Sequence, residues 1–467
     1  MIVRRSTEPL ISQCAYLVAC PRTRQAVLID PVRNADRYEL LAEELGVSIM
    51  AVLETHPPSD YVSGVREVLM ATACRAYLSG ETEPPEWYAS GSQDWAARVR
   101  FLKDRDTVSL GDLTLTAMLT PGHAAGGLSF YIEDRASGVR VVATGDALLV
   151  GGAGRVEESD TEQLRDSLAR LAGLPDDTVV LAGHTSGSAC GFSVSLPGES
   201  TLGIERRFNR TMQSVGDSAA FAVAVASKQP DRPTYFGRVE RINHREQPAL
   251  IHEIKRPGEL DADQFVQLLS MPHTVIVDTR PWSRFAADGA EGALHAPLDR
   301  YFAPLMASSI AQDERVVLVC DRAGCPAATD ALRLVGIDRV EGWIDSEVYG
   351  RIEQPLLDLV EIDELTQVAA RRVDERGDAR FLDVRTTSEW LRGRIKGARL
   401  VSLTQLPERI DSLPRDKLII AYCLTGMRSA RACVFLRRRG FRCATLQGGF
   451  WPWFGRGFPV EGVDQPF

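Results

Sequence analysis

One stretch near the C-terminus decides the fold around it: Leu418-Ile419-Ile420-Ala421-Tyr422-Cys423-Leu424-Thr425-Gly426-Met427-Arg428-Ser429. Its first five residues predict a short buried strand, and the apolar spacing after Ser429 predicts a helix that begins at once. A cysteine between such a strand and a helix N-terminus faces backbone N–H groups, which favour a thiolate or a persulfide anion. Gly426 allows the loop to curl around the sulfur, and Arg428 adds a fixed positive charge. The stretch therefore predicts a reactive Cys423; the alternative is a half-buried structural cysteine, as we expect for Cys433 and Cys443.

The bulk composition bounds the class of protein. The chain has 467 residues, too many for one hydrophobic core, and this length predicts about three domains. A formal net charge of -9, with no basic block, argues against nucleic acid as a partner. We see neither a signal peptide nor an apolar run long enough to cross a membrane. Nine scattered cysteines favour a reducing compartment, so we expect a cytoplasmic protein.

Four predicted strands in the first half of the chain each end at a side chain that can bind a metal ion. This repetition is stronger evidence than any single histidine, because a lone histidine is usually structural. The strands and the side chains that follow them are Ile49–Leu53 with His56 and Asp60, Leu113–Leu119 with His123, Val139–Ala143 with Asp146, and Val179–Ala182 with His184.

The order and spacing of these residues resemble the metallo-β-lactamase superfamily, an αββα sandwich with metal at one end of its sheets. Its first motif, His-x-His-x-Asp-His, reads His56-Pro57-Pro58-Ser59-Asp60-Tyr61 here. Because Pro58 and Tyr61 replace two imidazoles, a two-metal hydrolase site is incomplete. The resemblance leaves His56, His123 and Asp146 as ligands, with Asp60, Tyr61 and His184 as outer-shell candidates. Two histidines and one carboxylate with open positions suit non-haem Fe(II).

Within the superfamily the pattern resembles the persulfide dioxygenases, and it is closest to bacterial fusions of such an enzyme with rhodanese domains. In those fusions Tyr61 followed by Val62-Ser63-Gly64 is ordinary, and the segment His184 to Gly191 includes a cysteine near the metal pocket, here Cys190. Pro58 departs from the family. The resemblance implies one Fe(II) per chain, with zinc or no metal as alternatives.

A domain-scale repeat fills the second half. The strand ending at Asp278 matches the strand ending at Asp383, an offset of 383 − 278 = 105, and the strand ending at Cys320 matches the strand before Cys423, an offset of 423 − 320 = 103. Each copy alternates strands with helices and predicts a small parallel α/β domain. The last copy, with its Cys-x-x-Gly-x-Arg-Ser loop, resembles rhodanese-type sulfurtransferases, which implies catalytic roles for Cys423, Gly426, Arg428 and Ser429.

The predicted fold class is therefore α/β multidomain, with a sandwich followed by two rhodanese-like domains. The expected bounds are 1–250 for the sandwich, 258–352 for a degenerate rhodanese-like domain (the middle domain), and 357–467 for a rhodanese domain with a complete loop (the last domain). The charged, Pro-containing segment from Arg238 to Pro257 predicts a linker or a crossing strand between the first two.

The loop of the middle domain differs from that of the last domain. It reads Cys320-Asp321-Arg322-Ala323-Gly324-Cys325-Pro326, with its glycine one place later and Cys325 where Arg428 stands in the other copy. Asp321 is expected to raise the pKa of the Cys320 thiol, the wrong direction for a nucleophile. These differences favour a docking role; a sulfur relay through Cys320, or through Cys190 in the first domain, and a Cys320–Cys325 redox pair stay open.

The resemblances imply an enzyme of sulfane-sulfur metabolism or sulfide detoxification. The iron site would oxidise a small thiol persulfide (glutathione, coenzyme A or cysteine persulfide) with O₂ to sulfite, and a Cys423 persulfide would combine with sulfite to give thiosulfate. One alternative is a zinc hydrolase of the glyoxalase II or lactamase kind. Another is an inactive first domain that serves as scaffold for the last. We expect no membrane partner, and a homo-oligomer stays open.

Overall fold

A computed structural model describes residues 1–86, 95–156, 158–191, 199–226, 229–246, 248–290, 292–352 and 363–462. The chain divides into two compact units. The first unit comprises Met1–Pro230 and Phe236–Ile254, and the second comprises Asp231–Tyr235 and Lys255–Phe467. No helix in the described ranges has the length and apolar character needed to cross a membrane.

Two six-stranded sheets form the centre of the first unit, in the orders β1-β2-β3-β4-β5-β6 and β12-β11-β10-β9-β8-β7. The strands of the first sheet are β1 (Ile2–Glu8), β2 (Gln13–Ala19), β3 (Gln25–Ile29), β4 (Ser48–Leu53), β5 (Arg75–Ser79) and β6 (Val99–Leu102). Those of the second sheet are β7 (Thr107–Leu110), β8 (Leu113–Leu119), β9 (Leu128–Asp134), β10 (Arg140–Gly145), β11 (Val179–Ala182) and β12 (Ser200–Thr201).

The sheets pack face to face because alternate residues of their strands are apolar. In β8, Leu113, Leu115 and Ala117 are buried in a cluster that also contains Tyr16 and Val18 of β2. Helices cover the outer faces, which confirms the predicted αββα layering. They are α1 (Asp36–Glu44), α2 (Val65–Ala71), α3 (Thr161–Ala172), α4 (Leu202–Phe208), α5 (Arg210–Gln213), α6 (Ser218–Ala226) and α7 (Phe236–His244), with 3₁₀ turns at Ala96–Arg98, Glu158–Asp160 and Ile251–Glu253.

The second unit contains two five-stranded sheets whose strand pairs are all parallel, in the orders β13-β17-β16-β14-β15 and β18-β23-β22-β19-β21. The middle domain has β13 (Gly258–Glu259), β14 (Thr274–Asp278), β15 (Leu294–His295), β16 (Arg315–Cys320) and β17 (Val340–Asp345). The last domain has β18 (Asp363–Leu365), β19 (Ala379–Asp383), β20 (Arg394–Ile395), β21 (Arg399–Leu400), β22 (Leu418–Tyr422), β23 (Cys443–Leu446) and β24 (Val460–Glu461), with β20 and β24 paired antiparallel.

Helices connect these strands in both domains. Those of the middle domain are α8 (Ala262–Leu269), α9 (Trp282–Asp288), α10 (Phe302–Ser309), α11 (Gly324–Leu334) and α12 (Ser346–Tyr349). Those of the last domain are α13 (Gln367–Glu375), α14 (Thr387–Leu391), α15 (Leu406–Arg409), α16 (Met427–Arg438) and α17 (Phe450–Gly455), with a 3₁₀ turn at Ile410–Ser412. The equivalent strands β16 and β22 each become almost wholly buried, as expected for central strands covered by helices.

Helix α16 packs against both domains, since it contacts β22 and β23 of its own domain and reaches the core of the middle domain. Val434 is part of the middle domain's apolar cluster, together with Phe265 and Ile344. Two ion pairs flank it: Arg431 contacts both carboxylate oxygens of Asp299 at 3.2 and 2.6 Å, and Arg438 contacts Glu314 at 2.7 Å. The helix that follows the Cys423 loop is therefore held by the middle domain as well as by its own.

The prediction of a linker or crossing strand from Arg238 to Pro257 is wrong over its first part. Residues Phe236–His244 form α7, which buries Phe236, Val239, Ile242 and Asn243. These residues recur at helical spacing, but the charged residues between them hide the pattern. The expected start of the last domain at residue 357 lies outside the described residues, so the domain bounds stay predictions.

Candidate functional site

Three side chains meet at one end of the sheets in the first unit. His56 lies in the loop after β4, His123 follows β8, and Asp146 follows β10. Nε2 of His56 lies 3.8 Å from Oδ2 of Asp146, and Nε2 of His123 lies 3.5 Å from the same oxygen. All three ligand atoms lie within 4.8 Å of one another. The structure thus brings together the three residues predicted as metal ligands.

The hydrogen bonds of His56 turn an unprotonated nitrogen toward this cluster. Thr55 donates its hydroxyl proton to Asp30 at 2.8 Å, so its oxygen accepts the proton of His56 Nδ1 at 2.9 Å. Burial, together with His123, lowers the pKa of His56 to about 4, so the ring is neutral near pH 7. Nε2 therefore presents a lone pair.

His123 is fixed in the same way by a different partner. Its Nδ1 donates to the carbonyl oxygen of Arg155 at 2.8 Å, because a carbonyl can only accept. Its Nε2 is thereby turned toward Asp146. Two imidazole Nε2 atoms and a carboxylate oxygen converge at one point. This donor set fits a cation, and the fixed outer hydrogen bonds are those expected around metal-binding histidines.

His184, an outer-shell candidate, lies in the loop after β11 and has a carboxylate on each side. Its Nδ1 lies 2.7 Å from Asp146 Oδ1, and its Nε2 lies 2.9 Å from Asp60 Oδ2. Burial alone would lower the pKa of His184, but Asp146 and Asp60 together raise it well above its usual value. The two carboxylates therefore favour the protonated form of the His184 ring, and Asp60, His184 and Cys190 form a second group whose ligand atoms lie within 4.8 Å of one another.

The remaining candidates lie around His184. The sulfur of Cys190 is within 4.8 Å of ligand atoms of Asp60 and His184, and the Cys190 side chain is buried. Burial raises the pKa of the Cys190 thiol, and the nearby carboxylates of Asp60 and Asp146 raise it further. Cys190 is therefore held as a protonated thiol beside the candidate metal centre.

Pro58 and Tyr61 contribute backbone rather than ligands. The amide of Asn243, on α7, donates to the carbonyl oxygens of Pro58 at 2.8 Å and of Tyr61 at 2.9 Å. The Tyr61 ring lies 6.4 Å from the His184 ring. Sequence reasoning missed Asn243, because α7 itself was not predicted; its position on the buried face of an amphipathic helix was the available signal.

The Cys423 loop of the last domain has the geometry expected from its sequence. Gly426 adopts φ 108°, and its N–H donates to the Cys423 sulfur at 3.1 Å. The Ser429 hydroxyl lies 3.9 Å from the sulfur and donates to the Gly426 carbonyl at 2.9 Å. The cysteine is buried at the end of β22, and its sulfur faces the first turn of α16.

Arg428 carries the fixed positive charge predicted from the sequence, and the structure pairs this charge with a carboxylate. Its guanidinium forms two hydrogen bonds of 2.7 Å to the carboxylate of Glu389, on α14. Partial burial opposes ionisation of Glu389, but this pair lowers its pKa to about 2. Glu389 also accepts from the backbone N–H of Thr386 and caps α14. A capping box was the sequence signal for its position, but nothing in the sequence pairs it with Arg428.

Cys320 lies at the end of β16, in the position that Cys423 has after β22, and it is fully buried. The pKa of its thiol is raised, as expected, but the largest cause is a hydrogen bond with Cys325 and not Asp321.

Comparisons with known proteins support the domain organisation, a metallo-beta-lactamase sandwich followed by rhodanese-like domains. The pattern of the metallo-beta-lactamase superfamily matches residues 10–184, and that of the rhodanese-like domain matches residues 261–342 and 365–455. The persulfide dioxygenase ETHE1, mitochondrial, of Bos taurus is 30% identical over 192 residues, which cover 39% of this chain and 68% of the relative. The chain belongs to the metallo-beta-lactamase superfamily.

Other members of the metallo-beta-lactamase superfamily are equally similar. The hydroxyacylglutathione hydrolase of Pseudomonas syringae pv. syringae (strain B728a) is 32% identical over 163 residues, 35% of this chain, and the chain spans only 58% of that relative's length. A metallo-beta-lactamase from Staphylococcus aureus subsp. aureus COL has a crystal structure that matches with a TM-score of 0.64 and 27% identity, covering 74% of this chain and 98% of that one. The present chain therefore carries rhodanese-like domains after its metallo-beta-lactamase sandwich.

Proposed function

We propose that this chain couples two reactions of sulfane-sulfur metabolism. The first unit oxidises a low-molecular-weight thiol persulfide with O₂ at a single iron, and the last domain transfers sulfane sulfur through a persulfide on Cys423. The observation that carries the proposal is the convergence of His56, His123 and Asp146, two imidazoles and one carboxylate whose ligand atoms lie within 4.8 Å of one another.

The donor set favours iron over the alternatives. His56, His123 and Asp146 supply two neutral imidazoles and one carboxylate, with open positions for other ligands. That combination is typical of non-haem Fe(II) sites that use O₂. Pro58 has no side-chain donor atom, and Tyr61 is held neutral because burial raises its pKa well above the ordinary value. The persulfide dioxygenase of Bos taurus supports this assignment.

Fe(II) held by these residues would supply the chemistry of O₂. The chain's own contribution is orientation and charge: Thr55 and the Arg155 carbonyl fix the two imidazole rings, and His184 fixes the Asp146 carboxylate. The overall reaction balances as persulfide plus O₂ plus water giving thiol, sulfite and two protons.

A cavity behind the His123 ring, on its Nδ1 side, offers a place for the thiol carrier, while the candidate ligands themselves line a much smaller space of about 10 Å³. The cavity behind the ring has a volume of about 500 Å³ and is lined by small apolar residues together with Arg155 and Arg210. Gly154 lies between the cavity and the His123 ring, since a Cβ at this position would be 2.8 Å from His123 Nδ1. The two arginines favour an anionic carrier, such as glutathione or coenzyme A.

In the last domain, Cys423 takes the sulfane sulfur. Its thiolate attacks the outer sulfur of a donor, the donor's S–S bond breaks, and the donor leaves as a thiol. The resulting persulfide is then attacked by sulfite, which takes the outer sulfur as thiosulfate and returns the Cys423 thiolate. Gly426 N–H and the first turn of α16 stabilise the negative charge on sulfur at each stage.

The test is metal content of protein purified without oxygen, combined with O₂ uptake on glutathione persulfide. We expect one iron per chain, and we expect His123→Ala to lose both the iron and the uptake. His252→Ala, at an exposed histidine of the same unit, is the matched control and should keep both. Asp60→Asn should weaken iron binding less than Asp146→Asn does.

A zinc-dependent hydrolase is the second candidate, favoured by the similarity to hydroxyacylglutathione hydrolases. Two zinc ions per chain and hydrolysis of a glutathione thioester would establish it and overturn the dioxygenase. Protein that binds no metal, with sulfurtransferase activity only at Cys423, would instead show that the first unit is a scaffold.

Pro58 offers a finer test, because a histidine normally stands at this position in the family it resembles. If the missing imidazole moves protons or orients substrate, O₂ uptake should be slow, and Pro58→His should raise it by on the order of 10²-fold. Equal rates in the iron-loaded natural protein and in Pro58→His would show that the imidazole is dispensable here.

A further inference from the structure

The loop of the middle domain folds two cysteines against each other. Asp321 closes a tight turn in which its carbonyl accepts the N–H of Cys325 at 3.1 Å and its carboxylate accepts the N–H of Gly324 at 2.6 Å. Cys320, at the end of β16, and Cys325, in the first turn of α11, are thereby brought together. Both are buried, whereas Asp321, Arg322 and Ala323 at the tip of the loop are exposed.

The two thiols are not equivalent. An interaction between the two thiols raises the pKa of Cys320 and lowers that of Cys325. Cys325 also has the hydroxyl of Thr329, one helical turn later, at 3.9 Å from its sulfur. Its position at the start of an 11-residue helix favours negative charge further. Cys325 is therefore the attacking thiol of the pair, and Cys320 is the resolving thiol.

We propose that Cys320 and Cys325 form a redox-active dithiol, which a small thiol persulfide oxidises to an intramolecular disulfide with release of hydrosulfide. The substrate class rests on the proposed function. The dithiol itself rests only on the geometry of the loop.

The reaction balances in two steps. The Cys325 thiolate attacks the outer sulfur of the persulfide, the persulfide S–S bond breaks, and the carrier leaves as a thiol. Cys320 then attacks the inner sulfur of the new Cys325 persulfide, an S–S bond forms between the two cysteines, and hydrosulfide leaves. The two protein thiols give up two electrons, and the sulfane sulfur accepts them. A cellular dithiol reductant would return the pair to its reduced form.

The resolving step, in which a second cysteine attacks the persulfide, is available in the middle domain but not in the last domain. Arg428 occupies the position equivalent to Cys325 and is paired with Glu389. No second cysteine follows Cys423 in its loop, so a persulfide there has no neighbouring loop thiol to resolve it. Under this proposal the last domain holds sulfane sulfur as a persulfide on Cys423, and the middle domain reduces it to hydrosulfide.

A matched control lies within the last domain. Cys433 and Cys443 also hydrogen-bond to each other, but Cys433 is in the middle of α16, Cys443 is in β23, and both are fully buried. Burial raises the pKa of Cys433 well above its usual value. This second pair should resist the same reagent, so it separates a specific reaction from general oxidation.

The experiment treats the full-length chain with glutathione persulfide under anaerobic conditions, so that O₂ chemistry does not contribute. Hydrosulfide is measured as it is released, and cysteine states are mapped by alkylation and peptide mass spectrometry. We expect a Cys320–Cys325 disulfide to form at least about tenfold faster than any change at Cys433 or Cys443, with one hydrosulfide per disulfide. Cys443→Ser should leave this reaction unchanged.

Single substitutions test the order of the steps. Cys320→Ser should stop at a Cys325 persulfide without hydrosulfide release from this site, and Cys325→Ser should give neither product. A parallel arm uses the thiol oxidant diamide. If neither reagent joins Cys320 to Cys325 in the folded chain, the dithiol is overturned. If diamide does so and the persulfide does not, the proposed oxidant is overturned, whatever the result of the iron and O₂-uptake measurements.

Discussion

The loops of the middle and last domains leave equivalent strands, yet their backbone N–H groups have different acceptors. In the last domain, Gly426 at φ 108° points its N–H at the Cys423 sulfur, 3.1 Å away. In the middle domain, Gly324 is one place later and already helical, and its N–H goes to the carboxylate of Asp321 at 2.6 Å. A carboxylate thus takes the hydrogen bond that the cysteine sulfur receives in the other copy. One shifted glycine and one aspartate are enough to change what the loop can stabilise.

The largest effect expected from this difference concerns the two strand-end cysteines. Cys423→Ser should lower thiosulfate:cyanide sulfurtransferase activity by on the order of 10³-fold or more, because the nucleophile is lost. Cys320→Ser should leave most of the activity, since the Cys320 thiol is protonated and its loop N–H is occupied. Equal losses from the two substitutions would remove the distinction between the copies.

The glycines provide the next test. Gly426→Ala should lower sulfurtransferase activity by roughly tenfold, because a left-handed conformation costs a residue with a Cβ about 1–2 kcal/mol. The matched control is Gly324→Ala, which lies in a helical first turn and should leave that activity unchanged. The measurement is the steady-state sulfurtransferase rate of both variants. An unchanged rate for Gly426→Ala would show that the hydrogen bond from the Gly426 N–H to the Cys423 sulfur is dispensable.

A smaller effect is expected where the middle domain holds α16. Asp299→Asn breaks the pair with Arg431, whose side chain is only 2% exposed, while that of Asp299 is 33% exposed. We expect a loss of about 1–2 kcal/mol in the free energy of unfolding, below the value for a fully buried pair because Asp299 is partly solvated. Asp313→Asn, at an exposed pair with His273, should change it by less than about 0.5 kcal/mol. Denaturant titration of the full chain measures both, and equal values would contradict the tie between the domains.

The smallest expected effect is a pH dependence of the free energy of unfolding that comes from the Arg428–Glu389 pair. The middle domain has Cys325 in place of Arg428 and therefore lacks this pair. The pKa of Glu389 is about 2 in the folded chain against an ordinary 4.5, so its pair with Arg428 stabilises the fold above pH 4.5. That contribution, about 1 kcal/mol after solvent screening, should be lost as the pH falls toward 2. Stability of Glu389→Gln should therefore change less between pH 7 and about 3.5 than that of the natural chain. An identical pH profile for the two proteins would show that the pair has no influence on folding.

Strands were predictable wherever a local apolar run specified them. The residues 418–422, 113–119 and 179–182 form β22, β8 and β11 with the expected bounds. The convergence of His56, His123 and Asp146 followed from strands that all end at one edge. Helix α7 was missed, because its apolar residues are separated by charged ones.

The side-chain pairings in the candidate sites were not predictable, because the partners lie far apart in the chain. His184 and Asp60 are separated by 124 residues, and Arg428 and Glu389 by 39. Sequence showed each of these groups but not its pairing, and pairing raises the pKa of His184 and balances the charge of Arg428. The spacing of Cys320 and Cys325 suggested a pair. The greater acidity of Cys325 follows from its surroundings in the fold, which are the first turn of α11 and the Thr329 hydroxyl 3.9 Å from its sulfur.

The contacts of α16 with both domains separate two constraints on the middle domain. Val434, Arg431 and Arg438 require a matching surface on the middle domain, but they place no demand on the residues around Cys320. Substitutions in the loop around Cys320 therefore leave the attachment of the last domain intact. The same coupling means that the last domain cannot simply be excised. A truncated chain beginning at residue 363 would expose Val434 to water and leave the Arg431 guanidinium without its carboxylate.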